Sequence, residues 1–181
     1  MTQWPKKDER ERLEIEGFIG AYAQLPTARR LEVVTKTEMP DYVVRDIATG
    51  QEYGVELTSV YMDDRSVPDL HMREEDGPVH MPDDRPELEW YLNRLAEAVV
   101  VKIDKARKRY SQDRPLILSI YVNEHISMYL DVAELQRFVK RHDALFEGIA
   151  PFQEVVFWNL PNGGVLCARP STTNVERLEG Q

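Results

Sequence analysis

Hydrophobic residues recur every three to four positions in two long segments, which is the spacing of a helix that buries one face. These segments predict helices over residues 8–25 and from residue 84 to about Tyr110. Pro26 ends the first helix, and the second begins at a capping pattern of Asp84, Pro86 and Glu87. The predicted buried faces consist of Glu11, Ile15, Phe18, Tyr22 and Leu25 in the first helix and of Leu88, Leu92, Leu95, Val99, Ile103, Ala106 and Tyr110 in the second.

Shorter apolar runs outside these helices predict strands. Residues 31–37, 42–47 and 52–61 are rich in β-branched and aromatic residues and are separated by turn residues such as Gly50, so they predict an antiparallel meander. Residues 115–122, PLILSIYV, form a nearly continuous apolar run, which is typical of a strand that is buried on both faces of a sheet.

The C-terminal third of the chain predicts one more helix and a β-hairpin. Asp131 and Glu134 cap a helix that runs to about Phe146, and Pro161-Asn162-Gly163 joins strands 154–160 and 164–169. The whole order of elements predicts an α/β sandwich with a mixed central sheet flanked by helices. The length of 181 residues fits a single domain over residues 1–170, followed by a polar tail over residues 171–181.

Composition narrows the function classes. The net charge of −9 argues against a general nucleic-acid coat protein, because phosphate binding needs a basic surface. No apolar run approaches the ~20 residues of a membrane span, and the N-terminus lacks the apolar segment of a signal peptide. The single cysteine, Cys167, excludes an internal disulfide and is expected to be a small buried hydrophobe. We therefore expect a cytoplasmic protein with no membrane contact.

The charges are unevenly distributed along the chain. Residues 62–89 contain ten acidic residues and three arginines, and residues 62–85 predict a long acidic loop or lid. Residues 94–114 contain seven basic and three acidic residues. This basic helix could contact DNA, or it could simply be a solvated helix face. The acidic surface could instead bind a protein partner, and the sequence leaves open whether the protein forms a homodimer.

Two carboxylates occupy unusual positions in the predicted meander. Asp41 heads the strand at 42–47, and Glu56 lies inside the strand at 52–61, on the same face as Thr58. Because both faces of that strand should be covered, a carboxylate there is costly unless it is paired or bound to a cation. Asp41 beside Glu56, together with a backbone carbonyl, would form an oxygen-rich site for Mg²⁺ or Mn²⁺. The alternative is that Asp41 is a turn residue and that Glu56 forms a salt bridge with Arg45 or a helix lysine.

Pro40-Asp41, a gap of fifteen residues and then Glu56-Leu57-Thr58 resemble the motif of the PD-(D/E)XK nuclease superfamily. The predicted order over residues 8–122, with an acidic helix, a meander, a helix and a buried strand, is also similar. The resemblance implies a restriction-endonuclease-like αβββαβ core and a metal-dependent nuclease. It implies that Asp41 and Glu56 are metal ligands.

The resemblance also implies a glutamate on the first helix, for which Glu11 matches better than Glu14. Thr58 departs from the superfamily, which has a catalytic lysine at this position; the threonine hydroxyl can orient water but carries no charge. The helical angle places Lys102 at the border of the buried helix face, so Lys102 is the best substitute and Lys105 the second. If no lysine substitutes, the domain is catalytically degenerate and could act as a protein-binding module. Lys102 could also merely extend from the helix edge into solvent.

Two weaker candidates lie outside this motif. Carboxylates and histidines crowd the long loop and could bind Zn²⁺ or Mn²⁺, although their spacing matches no dedicated motif. His125 could be a general base, but a capping or loop histidine is the favoured interpretation. The loop residues are Asp63, Asp64, Asp69, His71 and His80.

Overall fold

The structure is a computed structural model that describes residues 7–60, 85–111, 113–122, 130–170 and 176–178. Within these residues seven strands form one sheet, in the order of the chain. The three central strands are parallel and the flanking pairs are antiparallel, which confirms the predicted α/β class with a mixed sheet. The elements are α1 (Lys7–Tyr22), β1 (Leu31–Lys36), β2 (Tyr42–Asp46), β3 (Glu52–Val60), α2 (Arg85–Arg109), β4 (Leu116–Val122), α3 (Val132–Arg141), α4 (Asp143–Glu147), β5 (Phe152–Trp158), β6 (Val165–Ala168) and β7 (Glu176–Leu178).

The two parallel connections place their helices on the same face of the sheet. On that face α2, α3 and α4 bury one hydrophobic core, in which the rings of Phe138, Phe146 and Phe157 meet edge to face. The opposite face is covered by α1, whose Ile15 and Phe18 belong to a second core. The strand β4 is buried on both sides between these layers, as the apolar run predicted.

Three elements of the structure differ from the sequence prediction. The first helix ends at Tyr22 rather than Leu25, although Leu25 is still buried in the turn that follows. The helix predicted over 131–146 is divided into α3 and α4, because the backbone of His142 leaves helical geometry. The predicted polar tail contains β7, which pairs with β6 and is too short to produce a hydrophobic pattern. Nearly all of the predicted acidic loop lies outside the described residues.

The strands β2 and β3 have unequal lengths, and this difference creates the setting of the candidate site. Their last antiparallel pair joins Tyr42 to Val55, whereas β3 continues to Val60. Beyond Val55 the strand β3 remains paired with β4 on its other side. The edge of β3 from Glu56 onward therefore has no strand neighbour among the described residues, and its backbone is accessible to side chains.

Gly54, two residues before Glu56, allows close packing against the turn that carries Asp41. A Cβ atom at this position would lie 2.5 Å from Pro40 Cγ and 2.6 Å from Leu116 Cδ2. We expect Gly54→Ala to lower the free energy of unfolding by about 3 kcal/mol, because neither the proline ring nor the buried leucine can move away freely. Chemical denaturation measures this change.

Gly20→Ala is the matched control for that variant. A Cβ at Gly20, in the interior of α1, meets no atom within 4 Å. The same added methyl group should therefore stabilise the protein by about 0.5–1 kcal/mol through helix propensity. Equal effects of the two substitutions would contradict the tight packing inferred at Gly54.

Candidate active site

The turn between β1 and β2 holds Asp41 at the open edge of β3. The Thr37 N–H donates to the Asp41 carbonyl over 2.8 Å, and the Thr37 hydroxyl donates to the Pro40 carbonyl. The Asp41 side chain then accepts a hydrogen bond from the Leu57 N–H at Oδ2, over 2.7 Å. A carboxylate thus takes the place that a strand neighbour would fill, and it lies beside Glu56.

Glu56 is completely buried on the face of β3 that meets α2. Its Oε1 atom accepts hydrogen bonds from Lys102 Nζ over 2.8 Å and from Lys105 Nζ over 2.7 Å. Lys102 Nζ also donates to the Leu57 carbonyl over 3.0 Å. The two lysines therefore lie beside Glu56 and form with it the salt bridge to a helix lysine that the sequence left open as the alternative for Glu56.

The charge of Glu56 depends on these partners. Burial alone would raise the pKa of Glu56, but Lys102, Lys105 and the Tyr110 hydroxyl outweigh burial and hold this pKa below its ordinary value. Burial and the neighbouring Glu56 carboxylate in turn raise the pKa of Tyr110, so its hydroxyl stays protonated. The second carboxylate oxygen, Glu56 Oε2, is buried and receives no hydrogen bond of ordinary geometry from the described residues.

Asp41 has the opposite shift. Burial and then the charge of Glu56 raise the pKa of Asp41, and the Leu57 N–H and the two lysines offset only part of this effect. The two lysines therefore stabilise the charge of Glu56 more than that of Asp41, because both ammonium groups donate hydrogen bonds to Glu56. Asp41 carries negative charge that its protein surroundings do not fully stabilise.

Glu14, rather than Glu11, is the glutamate of α1 that contacts β3, and it does so at Ser59, on the face opposite to Glu56. Its Oε1 atom accepts a hydrogen bond from the Ser59 hydroxyl over 2.9 Å. Burial is the main cause that raises the pKa of Glu14, and the charge of Asp41 adds to it. Glu11 instead forms a 2.6 Å ion pair with Lys36. The sequence preference for Glu11 is therefore not supported by the geometry, because the helix face is rotated so that position 14 approaches β3.

Thr58 points to the same face as Glu56 and is partly exposed. It pairs with Ile120 in the parallel ladder between β3 and β4. Thr58 is thus the next residue of β3 after Glu56 that points to this face. Its role in orienting water stays a prediction.

The site can be compared with the needs of a divalent cation. Among the described residues, no three His, Cys, Asp or Glu side chains converge closely enough to ligate one ion. Two features nevertheless fit a cation: the buried Oε2 atom of Glu56 and the raised pKa of Asp41. Such an ion would supply the positive charge that these oxygens lack.

The basic segment 94–114 is less available to a ligand than its charge suggested. Lys102 and Lys105 bind Glu56, Arg107 donates to backbone carbonyls, and Arg114 pairs with Glu52 and Asp113. The guanidinium group of Arg94 lies over the Trp90 ring. Much of the positive charge on this segment therefore stabilises the protein itself.

Sequence reasoning missed a second buried carboxylate. Glu154 on β5 is 2% exposed and accepts hydrogen bonds from Tyr22 Oη over 2.9 Å, Arg29 Nη2 over 2.6 Å and Arg169 Nε over 3.2 Å. Glu154 is the first residue of the predicted strand 154–160, so it did not interrupt an apolar run as Glu56 does. These three hydrogen bonds connect β5 to α1 and to the residues that follow α1 and β6.

The remaining sequence candidates lie outside the part of the chain that the structure describes. These residues are Asp63, Asp64, Asp69, His71, His80 and His125. Cys167 is buried in β6, as predicted.

Comparison of the chain with protein-family models, curated proteins and solved structures finds no match. Within the described residues, no helix has both the length and the apolar character needed to cross a membrane.

Proposed function

We propose that this protein is a divalent-metal-dependent nuclease with a PD-(D/E)XK-like, restriction-endonuclease-like core. The observation that carries the proposal is the meeting of Asp41 and Glu56 at the open edge of β3, with lysines of α2 in place of a lysine at position 58. The order α1, β1 to β3, α2 and β4 supports it, since it follows the αβββαβ order expected of that superfamily.

Each group in the site has a role in this proposal. Asp41, Glu56 and the Leu57 carbonyl would hold Mg²⁺ or Mn²⁺, and the bound ion would activate water and neutralise charge on a phosphate. Lys102 and Lys105 provide ammonium groups that stabilise the negative charge of the phosphate during cleavage. The Tyr110 hydroxyl helps to keep Glu56 ionised. DNA is the favoured substrate, although the internal pairing of segment 94–114 limits the basic surface that this helix offers.

The first test is whether the site binds metal. Wild-type protein titrated with Mn²⁺ in a calorimeter should bind the ion, and Glu56→Gln should lose this binding, because the neutral amide supplies less charge to a cation. Glu16→Gln is the matched control, since Glu16 is exposed on α1. The wild-type protein should then cleave DNA with Mg²⁺ but not with a chelator.

Absence of Mn²⁺ binding by the wild-type protein would overturn the nuclease proposal and favour the second candidate, a non-catalytic domain that binds a protein partner. Two observations support that candidate. Thr58 stands where the superfamily has lysine, and Lys102 and Lys105 already neutralise Glu56 without a metal. The net charge of −9 would then favour a basic partner surface.

A further inference from the structure

Lys102 makes the contacts that a bound cation would make. Its ammonium nitrogen lies 2.8 Å from Glu56 Oε1 and 3.0 Å from the Leu57 carbonyl oxygen. One carboxylate oxygen and one backbone carbonyl are ligands that hard divalent cations also prefer. The ammonium group therefore occupies the oxygen atoms that the proposed metal would need.

We propose that Lys102 is a built-in competitor of the metal: its ammonium group holds Glu56 and the Leu57 carbonyl until a divalent cation displaces it. This inference rests on the proposed function, because it concerns the same site. A divalent cation on these oxygens would repel the Lys102 ammonium more strongly than the single charge of Lys105, which also donates to Glu56 Oε1, does. Metal binding therefore requires the lysine to leave them.

Lys102 is the lysine that must leave, because it holds the Leu57 carbonyl as well as Glu56, whereas Lys105 donates to Glu56 Oε1. The Lys102 side chain is 21% exposed, so a rotation about its flexible stem brings the ammonium group into water. Lys105 has a second contact, since its ammonium lies 5.4 Å from the centre of the Tyr110 ring. The released ammonium of Lys102 would then be free to approach the phosphate of a substrate.

This arrangement makes Lys102 a determinant of cation affinity. A protein whose binding-competent form is only a small fraction of the population binds its ligand more weakly by that fraction. Removing the ammonium group abolishes the competition, so the measured affinity for the cation equals the intrinsic affinity of the carboxylates. The same removal withdraws a charge that acts on the phosphate. Metal affinity and cleavage should therefore change in opposite directions.

The experiment compares Lys102→Met with Lys108→Met, which removes the same charge from an exposed position of α2. In calorimetric titrations with Mn²⁺, we expect Lys102→Met to lower the Kd by about tenfold or more, while Lys108→Met leaves the Kd unchanged. Cleavage by Lys102→Met should be slower than by wild type. Unchanged or weaker Mn²⁺ binding by Lys102→Met would overturn the competition. If neither Lys102→Met nor the wild-type protein binds Mn²⁺, the metal-dependent function itself fails.

A second measurement uses the wild-type protein and does not depend on the stability of a variant. The lysines are acylated with an N-hydroxysuccinimide ester, and the modified peptides are quantified by mass spectrometry with and without Mn²⁺. Displacement predicts faster modification of Lys102 when Mn²⁺ is present, with no change at Lys108. Equal or slower modification of Lys102 in the presence of Mn²⁺ contradicts the proposal.

Discussion

Asp41→Asn is expected to reduce metal-dependent cleavage by roughly 10³-fold or more, because the proposed metal site would lose a ligand and with it several kcal/mol of charge stabilisation. In the presence of a chelator, the same substitution is expected to stabilise the fold by about 1 kcal/mol. The two effects have one cause. The charge of Asp41 is desolvated and lies beside Glu56, which raises its pKa, and an amide avoids this cost. The amide oxygen can still accept the hydrogen bond from Leu57.

The pH dependence of this stability difference has a definite sign. The pKa of Asp41 in the folded protein lies above its ordinary value of 3.8, so protonation of Asp41 favours the folded state. The advantage of Asp41→Asn should be largest near neutral pH and should disappear as pH falls below that ordinary value. Chemical denaturation in chelator measures it, and Asp104→Asn, at an exposed position of α2, is the control. A destabilised but active Asp41→Asn variant would exclude Asp41 from the proposed site.

Removing both lysines should destabilise the protein most strongly among the substitutions at this site. The double variant Lys102→Met and Lys105→Met leaves Glu56 completely buried without its two ammonium partners. Removing one partner of a buried ion pair lowers the free energy of unfolding by about 3–5 kcal/mol. We expect a loss of this size near neutral pH, measured by denaturation in the presence of chelator.

The variant should also reverse the pH dependence that Glu56 contributes. In the wild-type protein the pKa of Glu56 lies below its ordinary value of 4.5, so its stabilising effect is present above that value and is lost as pH falls through the folded pKa. Without the lysines, burial raises the pKa instead, and stability should recover as pH falls toward that value. Adding Glu56→Gln to the double variant should restore much of the lost stability near neutral pH. No restoration would show that the lysines stabilise the fold by other contacts.

The sequence predicted the strands and the places of Asp41 and Glu56 in them because both depend on local patterns. Glu56 was recognisable because it interrupts an apolar strand, and Lys102 because ~100° per residue places it at the edge of the buried helix face. The choice between Glu11 and Glu14 depends on how α1 is rotated against the sheet, which no local pattern specifies. The lysine contact with the Leu57 carbonyl likewise depends on where β2 ends relative to β3.

Tyr110 and Glu154 illustrate another limit. Tyr110, directly after α2, continues the apolar spacing of that helix. Its position in the sequence therefore gave no sign that its hydroxyl lies near Glu56. Glu154 begins a predicted strand, where a polar residue is unremarkable, and its partners Tyr22 and Arg29 are more than a hundred residues earlier. Contacts over such sequence distances follow from the packing of whole layers, so they become visible only in the folded protein.

The contacts between α1 and β5 have a consequence for folding during synthesis on the ribosome. Gly17 of α1 packs so closely on Trp158 that an added Cβ would lie 2.8 Å from its ring, and Glu154 binds Tyr22 at the end of the same helix. The helix is synthesised before β5, and Glu154 follows Tyr22 by 132 residues, so these contacts form only after the intervening strands and helices have been made. The packing of α1, the helix that carries Glu14, is therefore completed only after β5 has left the ribosome.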